Sequence, residues 1–129
     1  MEFKIPVGSS NKLEMTVEVK DTAAHYGSGL VEVFATPAMV GLMEGTAQNG
    51  VQQYLPEGYI TLGIEINVKH LKATPLGMKV FCESILTAVE RKKLMFEIKA
   101  WDEKGEIGIA AHTRYIVEAK KFMKKLTQQ

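Results

Sequence analysis

The chain has 129 residues, of which 46% are apolar and 24% charged, and this suits one soluble globular domain spanning residues 1–129. Its formal net charge of +1 argues against a dedicated nucleic-acid-binding protein, which would carry a strong basic excess. The single cysteine, Cys82, excludes an internal disulfide, and the sequence has neither a signal-peptide pattern nor a membrane-spanning stretch. We therefore expect a protein of the reducing cytosol that does not bind membranes.

Five segments alternate between apolar and polar residues, which is the pattern of strands that have one face on a core. The apolar residues predicted to face the core are, in chain order, Leu13, Met15, Val17 and Val19; Ile60, Leu62, Ile64, Ile66 and Val68; Met78, Val80, Cys82, Leu86 and Ala88; Leu94, Phe96, Ile98 and Ala100; and Ile107, Ile109, Ala111, Tyr115 and Val117. Short polar or glycine-containing turns separate the last three segments, so we predict antiparallel neighbours.

One long helix is predicted between the first and second strands, from Thr36 to about Tyr54. Thr36 is a favourable N-cap, Pro37 suits the first helical position, and apolar residues follow at helical spacing. Gly41 and Gly45 lie four residues apart, which suits either tight packing under the sheet or the close approach of a partner helix or ligand. The order of strand, long helix and four strands predicts an α+β fold in which a five-stranded antiparallel sheet curls around one central helix.

Three residues in this framework carry useful chemistry, because a hydroxyl, a carboxylate and an imidazole can together activate water and stabilise a leaving group. Thr36 opens the helix, where it either only caps it or also contributes to a site. Glu44 has no Lys or Arg three or four residues away, which favours a functional carboxylate over a solvated surface glutamate. His70 shares the parity of the second strand and should point toward the helix; a core histidine is the alternative, and a bulge would alter the parity.

The spacing of these residues limits how they can act together. Eight helical residues span about 12 Å, so a direct bond between Thr36 and Glu44 in one chain is not expected. Either the substrate bridges them, or a second subunit completes each site. His112 and Arg114 have the parity opposite to Ile109, which puts them off the core face, at an interface or in contact with a ligand.

Three segments of the sequence carry a family resemblance: V-F-A-T-P-A-M-V-G-L-M-E, V-K-H-L-K-A-T-P-L-G and A-H-T-R. They resemble the fluoroacetyl-CoA thioesterase-like family of hot-dog acyl-CoA thioesterases, from about Val31 to Val117. The resemblance implies a hot-dog fold, catalytic roles for Thr36, Glu44 and His70, and a homodimer, or a tetramer, with sites between subunits. Members adapted to fluoroacetyl groups carry phenylalanines in a lid before the threonine. Here that stretch is A-H-Y-G-S-G-L-V-E-V, so no strong preference for fluoroacetyl over acetyl is predicted.

We predict the hydrolysis of a small acyl-CoA to the free acid and CoA. Glu44 would activate water or attack the carbonyl, His70 would move protons, and Thr36 with the helix N-terminus would stabilise the oxyanion. No cofactor is expected because a thioester is already activated, and no metal is expected because the three histidines lie on separate elements.

Gly63, His112 and Arg114 are the residues predicted to bind the substrate. Two alternatives stay open at this point. One is a hydratase or dehydratase acting on an acyl thioester on the same scaffold, and the other is an acyl-CoA-binding module without catalysis.

Overall fold

The structure is a computed structural model that describes residues 2–128. Its elements, in chain order, are β1 (Ser10–Thr16), a 3₁₀ turn (Val19–Asp21), α1 (Ala23–Tyr26), α2 (Thr36–Gln52), β2 (Tyr59–His70), β3 (Lys79–Glu90), β4 (Lys93–Asp102), β5 (Gly105–Glu118) and α3 (Ala119–Thr127). The five strands form one antiparallel sheet in the order β1-β3-β4-β5-β2. The long helix α2 packs on one face of this sheet, against β1 to β4, so the predicted α+β arrangement is confirmed.

The core lies between α2 and the inner face of the sheet. The helix contributes Met39, Met43, Ala47 and Val51, each at most 1% exposed. The predicted inward residues of β3 and β4 are confirmed at most positions; those that are fully buried are Val80, Cys82, Leu86, Leu94, Phe96, Ile98 and Ala100. Burying each large apolar side chain contributes roughly 1.5–3 kcal/mol, and this packing stabilises a helix interrupted by Gly41, Gly45 and Gly50.

The helix begins differently from the prediction. Ala35 is the N-cap residue and makes no side-chain capping bond, whereas Thr36 is already helical and Pro37 lies in the first turn. The prediction that Thr36 caps the helix is therefore wrong, and its hydroxyl is left for another partner. The helix ends at Gln52, two residues before the predicted Tyr54.

Two bulges change which residues of β2 and β5 face the helix. The register of β2 against β5 shifts between Gly63 and Glu65, so Ile64 is an extra residue and is 58% exposed. The register of β4 against β5 shifts opposite Ile107, which is the extra residue of β5. Each inserted residue reverses the alternation. Along each of these strands, the residues that face the helix are therefore odd-numbered on one side of the bulge in the sequence and even-numbered on the other.

Several inward assignments are wrong for this reason. Ile64 lies exposed at the bulge, and Tyr115 is also exposed. His112 and Arg114, which were predicted to lie off the core face, are only 2% and 7% exposed. The inward positions of β5 after the bulge are even-numbered, and they include Ile116 at 1% exposure. On β2, the residues after the bulge keep the predicted parity, and His70 faces the start of α2.

Two further features of the surface bear on function. Within residues 2–128, β2 is an edge strand whose one strand partner is β5. An added Cβ at Gly41 or Gly45 would meet no heavy atom of another element within 4 Å in the described part of the chain, so this face of α2 is open and these glycines are not packed tightly under the sheet. Within residues 2–128, no helix is both long and apolar enough to cross a membrane.

Candidate active site

Thr36 and His70 lie together at the start of α2. The Thr36 Oγ1 atom is 2.8 Å from Nδ1 of His70, which is a hydrogen bond between the first residue of the helix and the last residue of β2. Phe34, which is 1% exposed, packs edge-on to the imidazole ring at a centroid distance of 6.5 Å. The hydroxyl that does not cap the helix is thus held against an imidazole, beside the unpaired N–H groups of the first helical turn.

The second ring nitrogen of His70, Nε2, has unusual surroundings. Nε2 is buried and has no hydrogen-bond partner among residues 2–128. Burial lowers the pKa of His70, while a backbone hydrogen bond at Lys72 opposes part of the shift. The neutral form of the imidazole is therefore favoured, with Nδ1 bound to Thr36 and Nε2 buried beside the backbone of Lys72.

A cavity of about 570 Å³ opens beside this pair. One wall is formed by Thr36 and Pro37 at the start of α2, and another by residues 70–73, which follow β2. Ala23 and Ser28, from α1 and the loop after it, also line the cavity, as do residues 33–35. This volume is in the range of small-ligand sites, about 300–1,000 Å³.

Glu44 lies in a second group of polar residues, centred on Gly63. A Cβ placed on this glycine would lie 3.1 Å from Cε1 of His112, 3.3 Å from Nη1 of Arg114 and 3.3 Å from Oε2 of Glu44. The absence of a side chain at Gly63 therefore lets all three groups converge on the same stretch of backbone. Glu44 is on the open face of α2, since Gly41 and Gly45 are its neighbours there.

Arg114 is fixed in this group by Thr61. Its Nε atom donates to Oγ1 of Thr61 at 2.8 Å, and Nη2 donates to the backbone carbonyl of the same residue at 2.9 Å. Burial lowers the pKa of the guanidinium, and the nearby Glu44 carboxylate opposes this shift. The arginine is a buried positive charge in one orientation, with Nη1 near both Gly63 and His112.

His112 is fixed by two partners of different kind. Its Nδ1 lies 2.7 Å from the carbonyl oxygen of Glu65, which can only accept, so Nδ1 must carry the proton. Its Nε2 lies 3.2 Å from Nη1 of Arg114 and accepts from it. Burial lowers the pKa of His112, as does the charge of Arg114, whereas the Glu65 carbonyl and the Glu44 carboxylate oppose the shift.

The six predicted site residues thus form two groups rather than one. Thr36 and His70 are hydrogen-bonded beside the cavity, and Glu44 lies with the other three, Gly63, His112 and Arg114. Thr61 is the member that the sequence reasoning missed, because strand alternation placed it on the outer face. The one signal in the sequence is Gly63, since a glycine inside a strand pattern is typical of a bulge. The bulge at Ile64 makes Thr61 and Gly63 inward positions.

Comparisons with known proteins agree with this architecture. Residues 17–120 match the model of the family described as FlK, fluoroacetyl-CoA-specific thioesterase. A fluoroacetyl-CoA thioesterase from Streptantibioticus cattleyicolor is 40% identical over 98 residues, which is 76% of this chain and 70% of that protein.

Solved structures extend the likeness to the fold. A phenylalanine-to-alanine mutant of the fluoroacetyl-CoA-specific thioesterase FlK, in complex with fluoroacetate and CoA, superimposes with a TM-score of 0.86 at 35% identity, covering 92% of this chain and 99% of that one. A hot-dog-like protein from Thermanaerovibrio acidaminovorans gives a TM-score of 0.87 at 26% identity, covering 95% and 90% of the two chains. The fold is therefore the hot-dog fold, as the resemblance implied, and the protein is a thioesterase. Within that class, the chain belongs to the fluoroacetyl-CoA-specific thioesterase family.

Proposed function

We propose that this protein hydrolyses short acyl-CoA thioesters at a site formed by Thr36, Glu44 and His70, in a homodimer. The observation that carries the proposal is the Thr36–His70 hydrogen bond of 2.8 Å beside a cavity of about 570 Å³. The match to a thioesterase family over residues 17–120 supports the reaction type.

The Thr36–His70 pair is suited to protonating the CoA thiolate as it leaves. When the Thr36 hydroxyl donates to Nδ1, the proton of the neutral imidazole lies on Nε2, which has no partner among the described residues. A proton at that atom can pass to the leaving sulfur as the thioester carbon–sulfur bond breaks. The N–H groups of the first turn of α2, next to Thr36, suit the developing oxyanion.

Glu44 supplies the carboxylate of the proposed mechanism, either as the base that takes a proton from water or as the nucleophile. It lies on the open side of α2, where the two glycines leave room for an extended substrate along the helix. About 12 Å of helix separates it from Thr36, so the substrate has to bridge the two groups, or a partner subunit has to bring its own residues to each.

The edge of the sheet supports the dimer. β2 spans 12 residues and leaves one row of backbone N–H and C=O groups without strand partners, and such an edge is a template for pairing with another chain. Two copies of β2 related by a two-fold axis would pair antiparallel and join the two sheets. This arrangement brings the partner's residues to the edge that carries His70 and Gly63.

The deciding experiment measures thiol release by the purified protein across a panel of acyl-CoAs, with identification of the acyl product. Free acid and CoA in equal amounts support hydrolysis, whereas a hydrated or dehydrated acyl-CoA with no free thiol would support the alternative reaction on this scaffold. Light scattering at micromolar concentration tests the dimer, and a fully active monomer would contradict it. The cytosolic location stays a prediction from the sequence.

A further inference from the structure

His112 is held in one orientation between two neighbouring strands. Ile66 of β2 and Phe96 of β4 pair with it, and the Phe96 ring lies tilted against the imidazole at a centroid distance of 6.0 Å. The side chain is 2% exposed, so a rotation of the ring would have to displace packed neighbours. The ring therefore keeps the contact of Nδ1 with the carbonyl oxygen of Glu65 and that of Nε2 with Arg114.

These two contacts are those of a neutral imidazole in one tautomer. The Glu65 carbonyl can only accept, so Nδ1 carries the proton and Nε2 is the acceptor for Nη1 of Arg114. The charges that act on the ring are those of Arg114, on the same strand, and of Glu44, on α2. A proton on Nε2 would remove the acceptor and place a second positive charge against Arg114.

Arg114 is fixed at several of its N–H groups. Of the five in a guanidinium, three donate to described residues: Nε–H and one N–H of Nη2 to Thr61, and one N–H of Nη1 to His112. Because Thr61 and His112 hold different nitrogens of one planar group, the direction of the second N–H of Nη1 is fixed as well. His112 is thus the residue that determines where this donor points.

Glu44 approaches this donor at Gly63. Its Oε2 atom and Nη1 of Arg114 are each 3.3 Å from the position of a Cβ on Gly63, so they are at most twice that distance apart. Among the described residues, the two groups form no direct ion pair within 4.0 Å. One oxygen atom with hydrogen bonds of about 2.7–3.2 Å to each group spans such a separation.

We propose that His112 is a positioning residue for hydrolysis, which orients Arg114 so that Nη1 donates to the water molecule that Glu44 deprotonates. This role rests on the proposed function, with Glu44 acting as the base. Glu44 takes one proton from the water, and the water oxygen forms a bond to the thioester carbon. The carbon–sulfur bond then breaks, and the thiolate takes the proton that His70 supplies. A buried N–H donor stabilises the negative charge that develops on the attacking oxygen.

Two substitutions each keep one contact of the ring. His112→Gln places an oxygen acceptor at the position of Nε2, next to Arg114, whereas His112→Asn places an N–H donor at the position of Nδ1, next to Glu65. We expect the kcat of His112→Asn for acetyl-CoA to fall at least about tenfold, the scale of one hydrogen bond to a charged group, with little change in KM. His112→Gln should recover most of this loss. Equal kcat values in the two variants, a lower kcat in His112→Gln, or a change in KM alone would overturn the proposed role.

Two further measurements separate positioning from folding. Each variant loses one buried hydrogen bond and part of the ring packing, so denaturant unfolding should give similar free energies for the two. A difference in kcat at similar stability is then due to the contact with Arg114. Should His112→Asn fail to fold, nitrogen NMR of the wild type decides: His112 should be protonated at Nδ1 and unprotonated at Nε2, and the opposite tautomer would refute the role.

Failure of the proposed function gives a different result. If the wild type releases no thiol from any acyl-CoA, the proposed hydrolysis fails, and NMR then tests the positioning of Arg114 by itself. The Nε–H signal of Arg114 should shift much more in His112→Asn than in His112→Gln. Equal shifts in the two variants would show that His112 does not position the guanidinium.

Discussion

Arg114 holds both the side chain and the backbone of Thr61. Its Nε donates to the hydroxyl at 2.8 Å and its Nη2 to the carbonyl oxygen at 2.9 Å, across the paired strands β5 and β2. Two N–H groups of the planar guanidinium donate in a fixed relative orientation, and a lysine ammonium cannot reproduce this geometry. The contact ties the part of β2 that precedes the bulge to the strand that carries His112.

Arg114→Lys is therefore expected to destabilise the protein, although the charge is conserved. Losing a buried charged hydrogen bond costs about 1.5–3 kcal/mol, and the lysine leaves the Thr61 carbonyl or hydroxyl without its donor. Denaturant unfolding measures the change. The matched control is Arg91→Lys in the exposed turn between β3 and β4, where the change should be within about 0.5 kcal/mol. Equal stability of the two variants would contradict a structural role for the fork.

Glu44→Gln should reduce turnover far more than stability. The substitution keeps the size and removes the charge needed by a base or nucleophile, so kcat should fall by at least about 100-fold. The control is Glu57→Gln, an exposed glutamate in the turn after α2, which should retain wild-type kcat. Thiol release at saturating substrate is measured for the wild type and both variants. Equal rates for Glu44→Gln and the wild type would remove Glu44 from the mechanism. His70→Ala is also expected to lower kcat.

Two substitutions at Thr36 distinguish the contribution of its hydroxyl from that of the shape of its side chain. Thr36→Val keeps the shape but loses the bond to Nδ1 of His70, so kcat should fall, with a loss of about 0.5–1.5 kcal/mol in stability. Thr36→Ser keeps the hydroxyl and should stay within a few-fold of the wild type. Since Ala35, and not Thr36, is the N-cap, no additional capping loss is expected. Indistinguishable kinetics for the two variants would show that the hydroxyl does not act in turnover.

Stability should fall as the pH drops below about 6.5. Burial lowers the folded-state pKa of both His70 and His112, so in this window the unfolded chain binds protons that the folded chain does not. The stabilisation is complete above the unfolded value, near 6.5, and is lost as the pH falls toward the lower folded values. Each histidine can contribute a slope of at most about 1.4 kcal/mol per pH unit. Unfolding curves of His112→Gln should show a shallower dependence than the wild type; an unchanged slope would be inconsistent with a buried neutral imidazole.

The acyl preference is expected to be broad among short chains. Residues 24–33 contain no phenylalanine, and Leu30 in this stretch is 99% exposed. We therefore expect no strong preference for fluoroacetyl-CoA over acetyl-CoA when their kcat/KM values are compared. A large preference for the fluorinated substrate would mean that discrimination comes from other residues, such as the group around Gly63.

Alternation along the strands was sufficient to predict the sheet and the inward direction of His70, and apolar residues at helical spacing predicted the central helix. It failed at His112, Arg114 and Thr61, because bulges at Ile64 and Ile107 each insert one residue and reverse the faces beyond them. A glycine adjoins each insertion, Gly63 before Ile64 and Gly108 after Ile107, but an isolated glycine in a strand indicates a bulge without saying which residue is the extra one. A bulge of this kind is set by the pairing of distant strands, which local patterns do not contain.

The start of α2 shows a second limit of local signals. Thr36 followed by Pro37 has the composition of a capped helix, yet Thr36 is one position inside the helix and its hydroxyl bonds to a residue 34 positions away. A helix N-cap and a tertiary hydrogen bond would both use the hydroxyl oxygen of Thr36. Which of the two forms depends on where β2 ends, and the sequence near Thr36 carries no information on that.

The burial of Cys82 has a practical consequence for the measurement of thiol release. This is the only cysteine of the chain, it is 0% exposed, and its burial raises the pKa of the thiol to about 11. Thiol-capturing dyes react with thiolates, so the folded enzyme should contribute almost no colour of its own while released CoA is counted. A variant whose core has loosened would instead add one equivalent of dye per chain, so the same cuvette reports turnover and damage to the fold.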